Sequence, residues 1–347
     1  MSQTTGYLNL VKPAASEAYD IEVFNANADA IDAECERLNT SIDADELPDA
    51  TKSVGKNVKA TDNKVEDIKA WIDHNIPRMI PKDITTYYEN GSLWDRLEGT
   101  NGYEKYEDIY AGDYFQMSRA ISAYNQDQTY QETGSDYVTI AGISMLSGNG
   151  DNITMNYEHL VMVPGKGKEG KFHFGRSRMN SSHVTTGGYA GSEMHGTTIG
   201  AIASSGSTAA NATINQQLYA EFGSHLKTTR ELLSKTVNTS AANKMGGATA
   251  GASSDWAWCD CQAVLMSEVE VYGSVVFSSS GYDTGNANVQ LPIFKDKKFV
   301  NNRSSYYWLK DVASATYFCY CNSGGDAYYR SAGHASLCVR PRFVIAA

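Results

Sequence analysis

No stretch of the 347-residue chain approaches the roughly 18 consecutive apolar residues that span a bilayer, so membrane insertion is not expected. The start, Met1-Ser2-Gln3-Thr4-Thr5-Gly6, has no basic segment leading into an apolar one, and a chain made and folded in a cytoplasm is the expectation. Positive charge is also scarce. With 29 Lys and Arg against 40 Asp and Glu, the formal net charge is −11, and neither nucleic acid nor an anionic membrane surface is the expected partner, because each needs a basic face opposite it.

The spacings that announce catalysis or metal binding are missing as well. Six cysteines occur as Cys35, Cys259, Cys261, Cys319, Cys321 and Cys338. Zinc sites use C-x2-C or C-x4-C with a matching second pair, whereas C-x-C on an extended strand puts both thiols on one face. Free thiols are expected. The seven histidines show no H-x-x-x-H or H-x-H spacing, although His173, His183 and His195 share one loop-rich stretch, where hydrogen-bonded or solvated rings are expected rather than ligands. No Gly-x-Ser-x-Gly elbow surrounds any serine. A carboxylate pair for glycoside hydrolysis is a matter of spatial separation and has no positive signal here. Gly165 to Lys171 matches seven places of a phosphate-binding loop, but Phe172 stands where Ser or Thr would hold magnesium and no helical pattern follows, so a surface hairpin or loop is expected. No cofactor, no metal and no enzymatic activity are expected.

What is present is length enough for two or more structural regions, with abundant Gly (30) and Tyr (22) as in loop-rich α+β proteins. From Tyr19 to Ile31, Phe24, Ala28 and Ile31 recur at helical spacing. The polar stretch Thr40 to Asn63 lacks aromatics and reads as a linker or narrow stalk. Val65, Ile68 and Ile72 form a second stripe that Pro77 and Pro81 end. Such short stripes bury little in one chain, so self-association, with a homotrimer as the assembly, is expected. Beyond Asp83, Gly-punctuated strands are predicted at Tyr106 to Met117, Tyr137 to Leu146 and His159 to Val163. A core helix is predicted at Ile214 to Val237. Further strands are predicted at Trp256 to Cys261, Val264 to Met266, Val269 to Phe277, Tyr306 to Leu309, Tyr317 to Cys321 and Val339 to Ala346.

From Asp311 onward the chain contains no Lys, Glu, Gln, Met or Trp. Every residue there is reachable by randomising the adenines of an AAY codon, and Tyr, Ser, Gly and Asn are also the residues that binding loops favour. Tyr317, Tyr320, Tyr328 and Tyr329 are expected to form an exposed patch. Tyr328 and Tyr329 are adjacent, so an extended backbone would point them to opposite faces.

Several motifs in order carry a family resemblance: Gly187-Gly188-Tyr189-Ala190-Gly191-Ser192-Glu193-Met194, Leu265 to Gly273, Gly281-Tyr282-Asp283-Thr284-Gly285, Tyr306 to Val312, and Val339-Arg340-Pro341-Arg342-Phe343. With Leu8 to Pro13 and Tyr19 to Asn25 near the start, the chain resembles phage tail-fibre and adhesin proteins with a C-type-lectin fold, many of them diversified by retroelements. The resemblance implies an α+β protein: an N-terminal tail-attachment and helical stalk region, residues 1–80, then a C-type-lectin-like domain, residues 81–347, with a variable region at 306–343. It implies framework strands at Tyr306 to Leu309 and Val339 to Phe343, with Trp308 in the core. Ligand-facing positions would be Tyr317, Tyr320, Asn322, Asp326, Tyr328, Tyr329, Arg330 and His334. The expected partners are a bacterial surface receptor, protein or glycan, and other phage tail proteins through the N-terminus. The expected location is the virion tail, assembled in the host cytoplasm. A polysaccharide-degrading tail spike and a purely structural tail component are the alternatives. Cys338 stands where such proteins often have Gly, and the Glu-Pro-Asn and Trp-Asn-Asp signatures of calcium-dependent sugar binding are absent.

Overall fold

The computed structural model describes residues 3–4, 11–12, 26–31, 33, 49–124, 132–147, 155–238, 252–278, 289–301 and 305–347. The chain is a mixture of helix and sheet, an α+β protein, in two compact units, Met1–Lys69 and Ala70–Ala347.

In the first unit β1 (Gln3–Thr4) pairs antiparallel with β2 (Val11–Lys12), and residues 26–31 are helical. The earlier part of the helix predicted from Tyr19, with Phe24, lies outside the described residues. Helix α1 (Asp49–His74) begins in this unit and takes in much of the polar stretch read as a linker. Val65, Ile68 and Ile72 are all exposed along it. The helix stops ahead of Pro77 because Asn75 closes it. Its Nδ2 donates to the Trp71 carbonyl at 2.8 Å and the Ile143 carbonyl at 3.0 Å, and its Oδ1 accepts from the Ile143 N–H at 2.8 Å.

The second unit continues through short helices α2 (Thr85–Glu89) and α3 (Ser92–Glu98) into a six-stranded antiparallel sheet. Its main path runs β3 (Tyr114–Gln116), β4 (Tyr137–Ile143), β5 (Leu160–Pro164), β13 (Pro341–Ile345), β6 (Leu226–Lys227), with β9 (Ala263–Leu265) also on β13. Strands β5 and β13 are buried at every residue, and the period-2 alternation sends their side chains to two different cores. Leu160, Met162, Phe343 and Ile345 join one with Trp308 and Phe222; Val161, Val163 and Val344 join the other with Phe294 and Leu309.

Three predicted elements differ. The helix expected from Ile214 to Val237 is only α4 (Ile214–Phe222), started by a capping box in which Thr213 Oγ1 accepts from the Gln216 N–H and Gln216 Oε1 from the Thr213 N–H. Gly223, at φ 55°, turns the chain out of the helix, and Leu232, Leu233 and Val237 lie instead on β7 (Thr229–Asn238), paired with β8 (Ala252–Cys261). The strand expected at Val269 to Phe277 begins as a helix, α5 (Glu268–Tyr272), because Ser267 and Glu270 form a second capping box. The first predicted strand, Tyr106 to Met117, shrinks to β3. In the Gly187-Gly188-Tyr189 motif, a Cβ on Gly188 would lie 2.4 Å from the Ser234 carbonyl, so only glycine lets this loop lie against β7.

Four charged side chains meet where β7, α5, β13 and a further strand, β10 (Tyr307–Val312), converge: Glu231, Glu270, Arg342 and Lys310, all buried. Arg342 Nη2 donates to Glu231 Oε2 at 2.8 Å and its Nε donates to Glu270, while Lys310 Nζ lies 3.6 Å from Glu231 Oε2 and 3.9 Å from Glu270 Oε2. Burial by itself would raise the Glu231 pKa, but Arg342 and Lys310 outweigh it and hold the carboxyl below its usual range. Stability from Glu231 is therefore present above the ordinary glutamate value near 4.3 and lost as pH falls through the depressed folded value. Arg342→Met, which strands two buried carboxylates, should cost about 3 to 5 kcal/mol in urea unfolding, and Glu231→Gln should flatten the acid limb of the stability curve. A wild-type-like unfolding midpoint for Arg342→Met would count against the network.

Candidate functional site

A separate three-stranded antiparallel sheet, β10, β11 (Tyr317–Cys321) and β12 (Ala327–Ser331), carries the tyrosine-rich segment. Its root is Trp308, fully buried, with its indole N–H donating to the Ser177 carbonyl at 2.8 Å. Strands β11 and β12 pair Tyr317 with Ser331, Phe318 with Arg330, Cys319 with Tyr329, Tyr320 with Tyr328 and Cys321 with Ala327. The connecting turn is organised by Asn322, whose Oδ1 accepts from the N–H groups of Gly324 and Asp326, both at 2.9 Å. Gly325 sits at φ 87°, a conformation that glycine adopts without strain.

The rings form one connected series. Tyr306 meets Tyr320 at 5.8 Å between centroids, Tyr320 meets Tyr328 at 5.7 Å, Tyr328 stacks on Tyr329 at 5.1 Å and 7°, and Tyr329 meets Tyr317 at 5.3 Å. Phe277 closes on Tyr329 at 5.2 Å and Tyr328 at 6.1 Å. Adjacent residues of a strand start on opposite faces, and the register keeps to that: Tyr328 lies across from Tyr320 of one core, Tyr329 across from Cys319 of the other, yet the two rings still come together in a stack. Among the described residues β12 pairs with β11 alone, and its outer edge is where the stack forms.

The expected ligand-facing residues divide. Tyr317 (36% exposed) and Tyr328 (48%) face solvent with Arg330 and Asp326; Asn322, Tyr329 and His334 are half-buried. Tyr320, expected in the exposed patch, is corrected to a core residue at 7% exposure: its ring is the floor between Tyr306 and Tyr328, because its side of β11 packs beside Phe318 and Trp308. Asn322 and Asp326 are joined to each other across the turn at 3.3 Å. Arg330 Nη2 lies 2.7 Å from His334 Nε2, a guanidinium donating to an unprotonated ring nitrogen. Burial, then the charges of Arg330 and His183, hold the His334 pKa below its ordinary value. Sequence reasoning missed Phe277, which it placed in a strand, and Tyr306, 41% exposed, which it placed in the framework. No periodicity marks either one.

The described thiols, Cys259, Cys261, Cys319, Cys321 and Cys338, are all free, and burial pushes Cys338 up to about 11; Cys35 lies outside the described residues. Among the described residues no group of three or more His, Cys, Asp and Glu is placed to hold a metal ion. His173 is buried with its Nδ1 accepting from the Gly175 N–H, and His183 is exposed. Gly165 to Lys171 is a turn closed by a Lys166–Glu169 bridge, not a strand-to-helix phosphate cradle. The Gly281 to Gly285 motif lies outside the described residues.

Comparison with family models, with curated proteins and with solved structures found no match in any of the three.

Replacing Tyr317 and Tyr328 together with alanine should change stability by about 1 kcal/mol or less, because exposed side chains bury little on folding. Tyr320→Ala and Trp308→Ala should each cost about 3 kcal/mol or more as core truncations, read from thermal and urea melts. Equal losses at all four positions would make the exposed rings part of the core.

Proposed function

We propose that this chain is a bacteriophage tail-fibre or tail-tip adhesin that binds a protein or glycan receptor on the bacterial surface through the aromatic face of β11 and β12. One coincidence carries the reading. The segment whose composition fits randomised AAY codons is also the segment whose tyrosine rings form one connected series, with Tyr317 and Tyr328 exposed and Tyr329 half-buried over the buried Tyr320. Contiguous exposed aromatic surface marks interaction sites, and tyrosine supplies contact area at low entropic cost. Tyr317, Tyr328, Tyr329, Arg330 and His334 are the contact positions in this proposal. Asn322 and Asp326 shape the turn, and Tyr320 supports the rings from beneath.

The domain that carries this face is proposed to be C-type-lectin-like. Support comes from the order of the resembling motifs. Binding without turnover, attachment to other tail proteins through the N-terminus and a place in the virion complete the proposal. A reverse transcriptase gene and a template repeat matching the codons of Tyr306 to Phe343 in the flanking genome would establish diversification.

A homotrimer is the proposed assembly. Val65, Ile68 and Ile72 are exposed in the single chain, and a parallel helical bundle would cover them. Light scattering of the intact chain should give three copies, and Ile68→Asp with Ile72→Asp should give one, with the melting of the second unit unchanged. A monomeric wild type overturns the trimer.

Purified protein should adhere to intact host cells without releasing saccharide from their surface. The Tyr317, Tyr328 and Tyr329 triple alanine variant should lose adhesion while remaining folded. Saccharide release by the wild type would point to a depolymerase, and undiminished adhesion by the variant would place the binding surface elsewhere.

A further inference from the structure

Phe277 lies outside the segment from Tyr306 to Phe343, yet its ring packs edge-on against both members of the Tyr328–Tyr329 stack, at interplanar angles of 64° and 70°. No helix or strand holds it there, since residues 273–278 past α5 belong to neither. The Glu268 carboxylate does. Its Oε2 accepts from the N–H groups of Val276 at 2.9 Å, Phe277 at 3.0 Å and Ser278 at 3.0 Å, and its Oε1 accepts from Phe277 at 3.2 Å. Three successive N–H groups converging on one anion make a nest, and here the anion is the protein's own buried side chain. The nest is tied to the binding sheet, because the Glu268 N–H donates to the carboxylate of Asp311 on β10.

The connection runs from β10 through Asp311 and Glu268 to the Val276–Ser278 strap, and from the strap back to the rings on β12. A strap that only covered a loop would not need its one aromatic side chain aimed at the two outermost display tyrosines. We propose that Phe277 is a fixed contact residue of the receptor-binding face, supplying an apolar wall outside the variable segment, and that Glu268 is its positioning residue. This rests on the adhesin reading of the same face. A C–H-rich surface of the receptor, such as a sugar ring face or an aliphatic side chain, is the chemistry that a hydroxyl-free ring recognises. The tyrosines beside it add the hydroxyls that can bond to polar groups.

The test measures adhesion of the intact chain to a panel of bacterial strains that includes the host, with melting temperature recorded for every variant. Failure of the wild type to adhere, or full adhesion by the triple tyrosine variant, overturns the adhesin face itself. If that face stands, Phe277→Ala should weaken adhesion at least tenfold with the chain still folded at the assay temperature, and Phe277→Leu, apolar and free of a hydroxyl, should lose less. Wild-type adhesion by Phe277→Ala overturns the contact role alone. Glu268→Gln should weaken adhesion too, but should add no further loss in the Phe277→Ala background, although it lowers stability in both. An additive loss of adhesion overturns the positioning role. Should Glu268→Gln not fold, Val276→Pro deletes one of the three donors, keeps the carboxylate and is read by the same cycle.

Discussion

Arg342 stands at the centre of the second unit, between Glu231 and Glu270, with Lys310 close by, and each of the four comes from a different element. Taking a charge out of water costs several kcal/mol, and only close, well-aligned opposite charges offset it. The positions of β13, β7, α5 and β10 are thereby made interdependent: moving any one strands a charge in the interior. Glu270 carries a second duty, since its other carboxylate oxygen accepts from the Ser267 N–H and starts α5. The helix cap and the ion network are set by one side chain. A purely apolar contact of the same size would tolerate sliding; this one has a single register.

Around that point the alternation of side chains does the rest. Along β10, Trp308 and Val312 serve one core and Tyr307 and Leu309 the other, and β11 divides Phe318 and Tyr320 from Cys319 and Cys321 in the same way. The sheet that bears the aromatic face is therefore fastened on both sides along β10 and β11, and only β12 is free of that double anchoring, with its residues alternating between half-buried and exposed. Rigid support ending in one permissive strand is the arrangement that tolerates changes of contact residue without loss of the fold.

Where the sequence was informative, a local signal coincided with the tertiary outcome. The runs around Val138, Val161, Tyr317 and Phe343 read as strands because β-branched and aromatic residues cluster between turn formers, and all four are strands. The helix read through to Val237 failed because apolar spacing alone carried it past Gly223, where the chain turns out of the helix, and on β7 the buried alternation falls instead on Thr229, Glu231 and Leu233. Residues Val269 to Tyr272 read as strand on β-branched content, while the deciding information lay in Ser267 just upstream and Glu270 three residues on, which form the capping box. The composition from Asp311 onward singled out the strands that carry the connected tyrosine rings. Burial of Tyr320 depends on which side of β11 meets Trp308, and the place of Phe277 depends on a carboxylate bonding to backbone N–H groups; neither leaves a trace in residue spacing.

The stack of Tyr328 on Tyr329 has a bearing on solubility. An outermost strand with bare hydrogen-bonding groups is a template on which other chains aggregate, and most proteins blunt it with lysine, proline or a bulge. Strand β12 has neither lysine nor proline, and its neighbouring rings, with Phe277 against them, crowd that margin instead. Substitutions at these two positions would thus also change how well copies of the chain stay apart during synthesis, and bulky side chains are the ones that would keep that margin covered.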